Sequence, residues 1–146
     1  MISHSPEETY QFGFNLASQL VQGDIIALCG ELGAGKTLLT RGICRGLGYK
    51  GDVTSPSYVR INTYPHTIPI CHADFYLIES DDEIFELGLD ELINSESIII
   101  IEWAQRFPHL LPKSCLWIDI KWCDDSQEMR KIEVTKGNVF LSREDT

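Results

Sequence analysis

Long apolar runs are scarce in this chain. The longest pure isoleucine stretch covers residues 98–101, far short of the roughly 20 residues that a membrane-spanning helix needs. Cations are scarce too: 12 Lys and Arg stand against 22 Asp and Glu, a formal net charge of −10. That balance argues against a surface that grips a nucleic-acid backbone, which takes clustered Lys and Arg, and it permits docking to a basic partner. Five cysteines, at 29, 44, 71, 115 and 123, include no C-x-x-C pair, and the four histidines are scattered. A disulfide framework or zinc site is therefore not expected, and buried reduced thiols are. The opening stretch Met1-Ile2-Ser3-His4-Ser5-Pro6-Glu7-Glu8 has no basic region and no following apolar core. It does not read as a secretory signal, so a cytoplasmic protein is expected, with no membrane partner. Repeats and low-complexity segments are absent, and so is an N-K-x-D guanine motif.

What is present is a phosphate-binding signature. Gly30-Glu31-Leu32-Gly33-Ala34-Gly35-Lys36-Thr37 fits G-x-x-x-x-G-K-[ST]. Glycines allow a tight turn whose backbone N–H groups point inward at phosphate oxygens. Lys36 has the reach for the β- and γ-phosphates, and the Thr37 hydroxyl is a ligand for Mg²⁺. A helix beginning near Lys36 adds its positive end to the same anion site. The flanks agree with the motif. Ile25-Ile26-Ala27-Leu28-Cys29 is an apolar run of strand length. Leu38, Leu39, Ile43 and Leu47 follow at near-helical spacing, with Gly46 or Gly48 as the stop.

The remaining patterns outline one P-loop domain over residues 1–146, α/β in class, with a mixed parallel/antiparallel sheet flanked by a few helices. Ser5-Pro6-Glu7-Glu8 reads as an N-cap, a first-turn proline and the returning acid of a capping box, opening a helix over about 6–22. Residues 58–64 and 70–75 read as a β-hairpin. Residues 84–93 suggest a short helical stretch interrupted near Gly88, and 97–102 a buried strand. Residues 116–122 and 131–134 alternate like half-exposed antiparallel strands around a loop at 124–127. A frayed tail is expected at about 142–146.

Hydrolysis or transfer needs a second carboxylate beside the loop and a group that positions the nucleophile. Ile98-Ile99-Ile100-Ile101-Glu102 is an apolar strand ending in an acid, which makes Glu102 the first choice for the Mg²⁺ shell over a solvent-facing strand end. Asp74 closes residues 70–74 and is the second choice, either ordering water or metal or serving a turn. His72 shares its face by period two and reads equally as a base or as a packed histidine. Thr54, Ser55 and Ser57 form a hydroxyl cluster beside Pro56, either a γ-phosphate-sensing switch or a loop that caps the next strand. Trp103 stacks on a base or a partner, or belongs to the core. No spacing singles out Arg41, Arg45, Arg60 or Arg106 as a phosphate contact.

Taken in order, the loop with Thr40-Arg41-Gly42 after it, Val53-Thr54-Ser55-Pro56-Ser57-Tyr58, His72-Ala73-Asp74-Phe75-Tyr76 and Ile101-Glu102-Trp103 resemble the motifs of the TsaE family. These are small bacterial P-loop ATPases of tRNA threonylcarbamoyladenosine (t6A) synthesis. The resemblance spans roughly residues 5–135. It implies binding of ATP/ADP with Mg²⁺, weak hydrolysis by the protein alone, and coupling to the partners TsaB and TsaD. Of these, TsaD transfers the threonylcarbamoyl group to N6 of adenosine 37, so contact with tRNA is only indirect. It also implies nucleotide contacts from Glu31, Leu32, Gly33, Ala34, Gly35, Lys36, Thr37 and Trp103, a Mg²⁺ site at Thr37 and Glu102, catalytic support from Asp74 and Glu102, and switch behaviour around Ser55-Pro56-Ser57. Departures from the family pattern are Ser57 for threonine, Phe75 for leucine, Leu77 for arginine and Ala104 for proline. Arg130 sits where the family often has an arginine, with no role assigned. Two other classes fit the loop: a small P-loop kinase, disfavoured by the acidic 79–91 segment where an arginine lid is needed, and a nucleotide-dependent binding switch with negligible hydrolysis.

Overall fold

The structure, a computed structural model, describes residues 1–31, 33–56, 60–123 and 127–137. Leu32, Ser57, Tyr58, loop residues 124–126 and the tail at 142–146 lie outside the described residues.

A seven-stranded sheet with the order β1-β7-β6-β2-β5-β4-β3 forms the middle layer. Its strands are β1 (Ile2–Ser3), β2 (Ile25–Cys29), β3 (Ile61–Tyr64), β4 (Ile70–Asp74), β5 (Ile98–Glu102), β6 (Leu116–Trp122) and β7 (Arg130–Lys136). The four central strands β6, β2, β5 and β4 are parallel. β3 is antiparallel on one flank, and β7 and then β1 are antiparallel on the other. Every residue of β2 except Cys29, and every residue of β4 and β5, is buried, which is why β2 and β5 read as apolar runs rather than alternating ones, while β4 buries His72 and Asp74 as well.

Helices cover both faces. On one, α1 (Pro6–Leu16) and α2 (Lys36–Gly46) place Leu16, Leu39 and Ile43 against Ile26, Leu28, Ile70, Ile98, Ile100 and Ile118. On the other, α3 (Asp81–Glu86) and α4 (Leu89–Ile93) place Ile84 and Leu89 with Ile25, Ala27, Ile99 and Ile101. Gly88 separates α3 from α4 in the left-handed region, at φ 83°. Gly42 sits where α2 crosses α1: a Cβ there would stand 2.1 Å from the Tyr10 carbonyl oxygen.

The capping residues at the start of α1 are the expected ones, with a change of partner. Ser5 Oγ accepts from Glu8 N–H at 3.2 Å, but the Glu8 carboxylate returns to the N–H of His4, one residue before the cap, at 2.7 Å. The α-helix also ends earlier than the periodicity suggests. Residues 17–19 tighten into a 3-10 turn as the Ser18 hydroxyl donates to the Asn15 carbonyl, and Leu20 is already extended. At its own end α2 closes on Gly48, at φ 98°, with Tyr49 N–H donating to Cys44 O. The 116–122 strand pairs antiparallel with β7 as its alternation suggests, and parallel with β2 on its other side. Alternation along one strand carries no information about that second neighbour.

Candidate active site

Asp74 and Glu102 are the last residues of neighbouring parallel strands and lie opposite each other in the ladder. Leu28, one residue from the end of β2, pairs with Glu102 on the other side. Both acids therefore stand at the carboxyl edge of the parallel sheet, where the β2 chain turns into the glycine loop. Open α/β sheets place their ligand crevice at this edge.

The loop hands the chain to α2 at Gly35. Its φ of 111° is left-handed, so a side chain there would be strained. Lys36 opens the helix, and its ammonium turns back over the loop. Nζ donates to the carbonyls of Gly30 at 2.6 Å and Glu31 at 2.9 Å, and lies 4.1 Å from the centroid of the Trp103 ring. Lys36 is only 4% exposed. Burial pulls its pKa below the ordinary lysine value, and the charges of Glu102 and then Asp74 pull it back up. Trp103 is held at φ 58°, unusual for a residue with a side chain, and its other neighbour is the Tyr76 ring at 4.7 Å.

Thr37 faces the strand ends. Its hydroxyl donates to Glu102 Oε1 at 3.1 Å and lies 3.3 Å from Oε2. Glu102 Oε2 also meets His72 Nε2 at 2.5 Å, and His72 Nδ1 meets the Tyr64 hydroxyl at 2.9 Å. Asp74 Oδ1 accepts from Tyr76 N–H at 2.8 Å, and Oδ2 accepts from the Ser55 hydroxyl at 3.3 Å.

The fold thus brings together Gly33, Ala34, Gly35, Lys36, Thr37, Asp74, Glu102, Trp103 and Ser55, and Glu31 contributes its backbone carbonyl. Thr54 joins through its carbonyl, which accepts from Asn62 Nδ2 and from the Tyr64 hydroxyl. Leu32 and Ser57 are outside the described residues. His72 is fully buried with both ring nitrogens engaged, which is the packed arrangement rather than that of a base open to substrate. Of the arginines, Arg41 Nε donates to Val53 O at 2.9 Å, Arg60 pairs with Glu83 at 3.1 Å, and Arg106 donates to Tyr76 O. Arg130 does reach the loop: from β7, its Nε donates to Ala34 O at 3.0 Å, and its guanidinium stacks 3.6 Å from the centroid of the Trp122 ring.

Two parts of this arrangement are not legible in the sequence. Tyr64 lies diagonally across the β3–β4 ladder from His72, which itself pairs with Asn62. Arg130 reaches the loop from 96 residues away. Both depend on strand register, which leaves no mark at either residue.

Residues 3–132 match the family model for "Threonylcarbamoyl adenosine biosynthesis protein TsaE". The tRNA threonylcarbamoyladenosine biosynthesis protein TsaE of Bacillus subtilis is 37% identical over 149 residues, covering 97% of this chain and 92% of the relative. Its Streptomyces coelicolor counterpart is 39% identical over 131 residues, covering 86% and 88%. The crystal structure of Bacillus subtilis YdiB superposes with a TM-score of 0.78 at 31% identity, covering 100% of this chain and 95% of that one. By family model, by relatives and by fold, this chain belongs to the TsaE family.

Proposed function

We propose that this protein binds ATP and Mg²⁺ and hydrolyses ATP in support of tRNA N6-threonylcarbamoylation, acting on a TsaB–TsaD complex rather than transferring the group itself. The observation that carries this reading is the contact between Thr37 and Glu102 at the mouth of the glycine loop. A P-loop hydroxyl and a strand-end carboxylate are the two protein groups that such sites offer to Mg²⁺.

The residues fit that ion. Thr37, Glu102 and Asp74 supply hard oxygen donors, and among the described residues no cluster of three or more His, Cys, Asp or Glu forms a closed metal cage. Mg²⁺ favours this kind of site, because it keeps several waters and takes one or two carboxylates together with nucleotide phosphates. Bound there, the ion supplies charge neutralisation for the phosphates. The chain's own residues do the rest. Loop N–H groups cradle phosphate oxygens. Lys36 exchanges the Gly30 and Glu31 carbonyls for phosphate. Glu102 orients the Thr37 hydroxyl. Asp74, anchored by Tyr76 N–H and met by the Ser55 hydroxyl, holds a water near the strand ends and ties the 53–56 loop to the nucleotide state. Trp103 sheds Lys36 and flanks the nucleotide.

Phosphate release from ATP and Mg²⁺, measured for wild type and Lys36→Ala, alone and with purified TsaB–TsaD, tests the proposal. Release that needs Lys36 and changes with the complex is the expected result. Binding without release under every condition favours a switch, and a phosphorylated acceptor favours a kinase.

A further inference from the structure

We infer that His72 is a positioning residue for Glu102, and that Tyr64 fixes the imidazole that does it. The inference rests on the Mg²⁺-ATPase reading above. It extends that reading to two residues that touch neither nucleotide nor metal in it.

A carboxylate that is 3% exposed needs fixed partners, because a buried charge left without them is costly. Glu102 has two kinds. Thr37 is a threonine hydroxyl on the loop helix, and the proposed cation requires that hydroxyl for itself. His72 is 0% exposed and sits on the adjacent strand. A carboxylate only accepts, so the proton of this bond is on His72 Nε2, and Nδ1 lies 2.9 Å from the Tyr64 hydroxyl. The imidazole is thereby gripped at both ends, at 2.5 Å and 2.9 Å.

The physical consequence is directional. The Thr37 hydroxyl lies 3.1 Å from Oε1 and 3.3 Å from Oε2, and the bond of Oε2 to His72 fixes the rotation of the carboxylate that both oxygens share. Removing the imidazole frees the carboxylate to turn, and Thr37 becomes its main remaining partner. Partners one step beyond a metal's direct ligands commonly set its affinity or the resulting activity by about 10–100-fold. Tyr64 adds a second link, because its hydroxyl also lies 3.3 Å from the Thr54 carbonyl. The orientation of the imidazole is therefore coupled to the 53–56 loop as well as to the sheet.

The test compares wild type with His72→Leu, His72→Gln and Tyr64→Phe. Calorimetry gives ADP affinity with and without Mg²⁺, steady-state kinetics give kcat and KM for ATP, and thermal melts report folding. In His72→Leu the Mg²⁺-dependent gain in ADP affinity is expected to fall about 10–100-fold. Metal-free ADP affinity should hold, and the kinetic loss should fall on kcat more than on KM. His72→Gln carries an N–H at a similar reach and should recover most of the gain. Tyr64→Phe should lose a smaller share while still melting as a folded protein. A folded His72→Leu with the wild-type Mg²⁺ gain overturns the inference, as does a His72→Gln no better than His72→Leu. Should His72→Leu not fold, Tyr64→Phe decides: an unchanged gain overturns the inference, and a partial loss in the folded variant, with metal-free ADP affinity retained, supports it. A wild type that shows no Mg²⁺-dependent gain fails the Mg²⁺-ATPase reading itself, which is a separate result from a wild type that shows it and variants that match.

Discussion

The strand-end half and the loop half of the site are built on opposite terms. Asp74 and Glu102 sit on strands paired on both sides, buried, with hydrogen bonds to His72, Thr37, Tyr76 N–H and Ser55. Their positions are fixed before any ligand arrives. Lys36 is turned inward, satisfied by its own loop's carbonyls and by the face of Trp103. On the proposed reading, a nucleotide finds the carboxylates in place but must take the lysine from its internal partners, so that one half is preorganised and the other gives up existing bonds on binding. Strand ends resist rearrangement because ladder hydrogen bonds and packing constrain them jointly, whereas the glycine loop has no ladder.

The strongest way to break the comparison is to remove one charge from each half. Lys36→Ala should lower both nucleotide affinity and turnover, with kcat/KM down at least about 100-fold, since phosphate loses its cation in the ground state and in the transition state. Glu102→Gln keeps the shape and should cut kcat by about 100-fold while leaving metal-free ADP affinity near wild type. Equal losses of metal-free affinity in the two variants would contradict the division into halves.

A second substitution acts beneath the loop. Gly42→Ala forces a methyl group to within 2.1 Å of the Tyr10 carbonyl oxygen at the α1–α2 crossing. Backbone cannot yield there as a flexible side chain would, so the expected cost is about 3 kcal/mol in chemical denaturation. Kinetic constants of the protein that remains folded should move far less than in Glu102→Gln.

Arg130→Ala sharpens the account of the loop half. It removes the bond from β7 to Ala34 O and the cation on Trp122. ADP affinity is expected to fall about fivefold, the scale of a partly exposed charged hydrogen bond, with little change in kcat. Calorimetry reads this directly. A kcat loss as large as that of Glu102→Gln would assign Arg130 to the chemistry instead.

The smallest effect concerns the thiols. Burial pushes the pKa of Cys29 and Cys44 from about 9 up to about 12, and that of Cys115 up to about 11. In the unfolded chain these thiols ionise above about pH 9, while in the folded protein they stay protonated, so folding binds protons in this window. Their contribution is fully present below pH 9 and is lost as pH rises through 11 to 12. Melting temperature should decline across that window, less steeply when Cys44 is replaced by Ala. An identical slope in the variant would remove Cys44 from the account.

Much of this was legible in the sequence, and the reason is local. The glycine loop, the apolar strand before it, the acid closing the isoleucine run, the interruption at Gly88 and the cap at Ser5 are each determined by a few adjacent residues. Backbone conformation, burial and charge leave their mark at that range. The sequence even set Glu102 and Asp74 apart as strand-end acids. It did not make them neighbours, nor did it give β6 its parallel partner, hand Glu102 to His72, connect His72 to Tyr64 or bring Arg130 to Ala34. Those pairings are set by strand order and register, which come from packing both faces of the sheet at once. A residue carries the hydrogen-bonding chemistry for many partners, and only the closed tertiary structure selects among them.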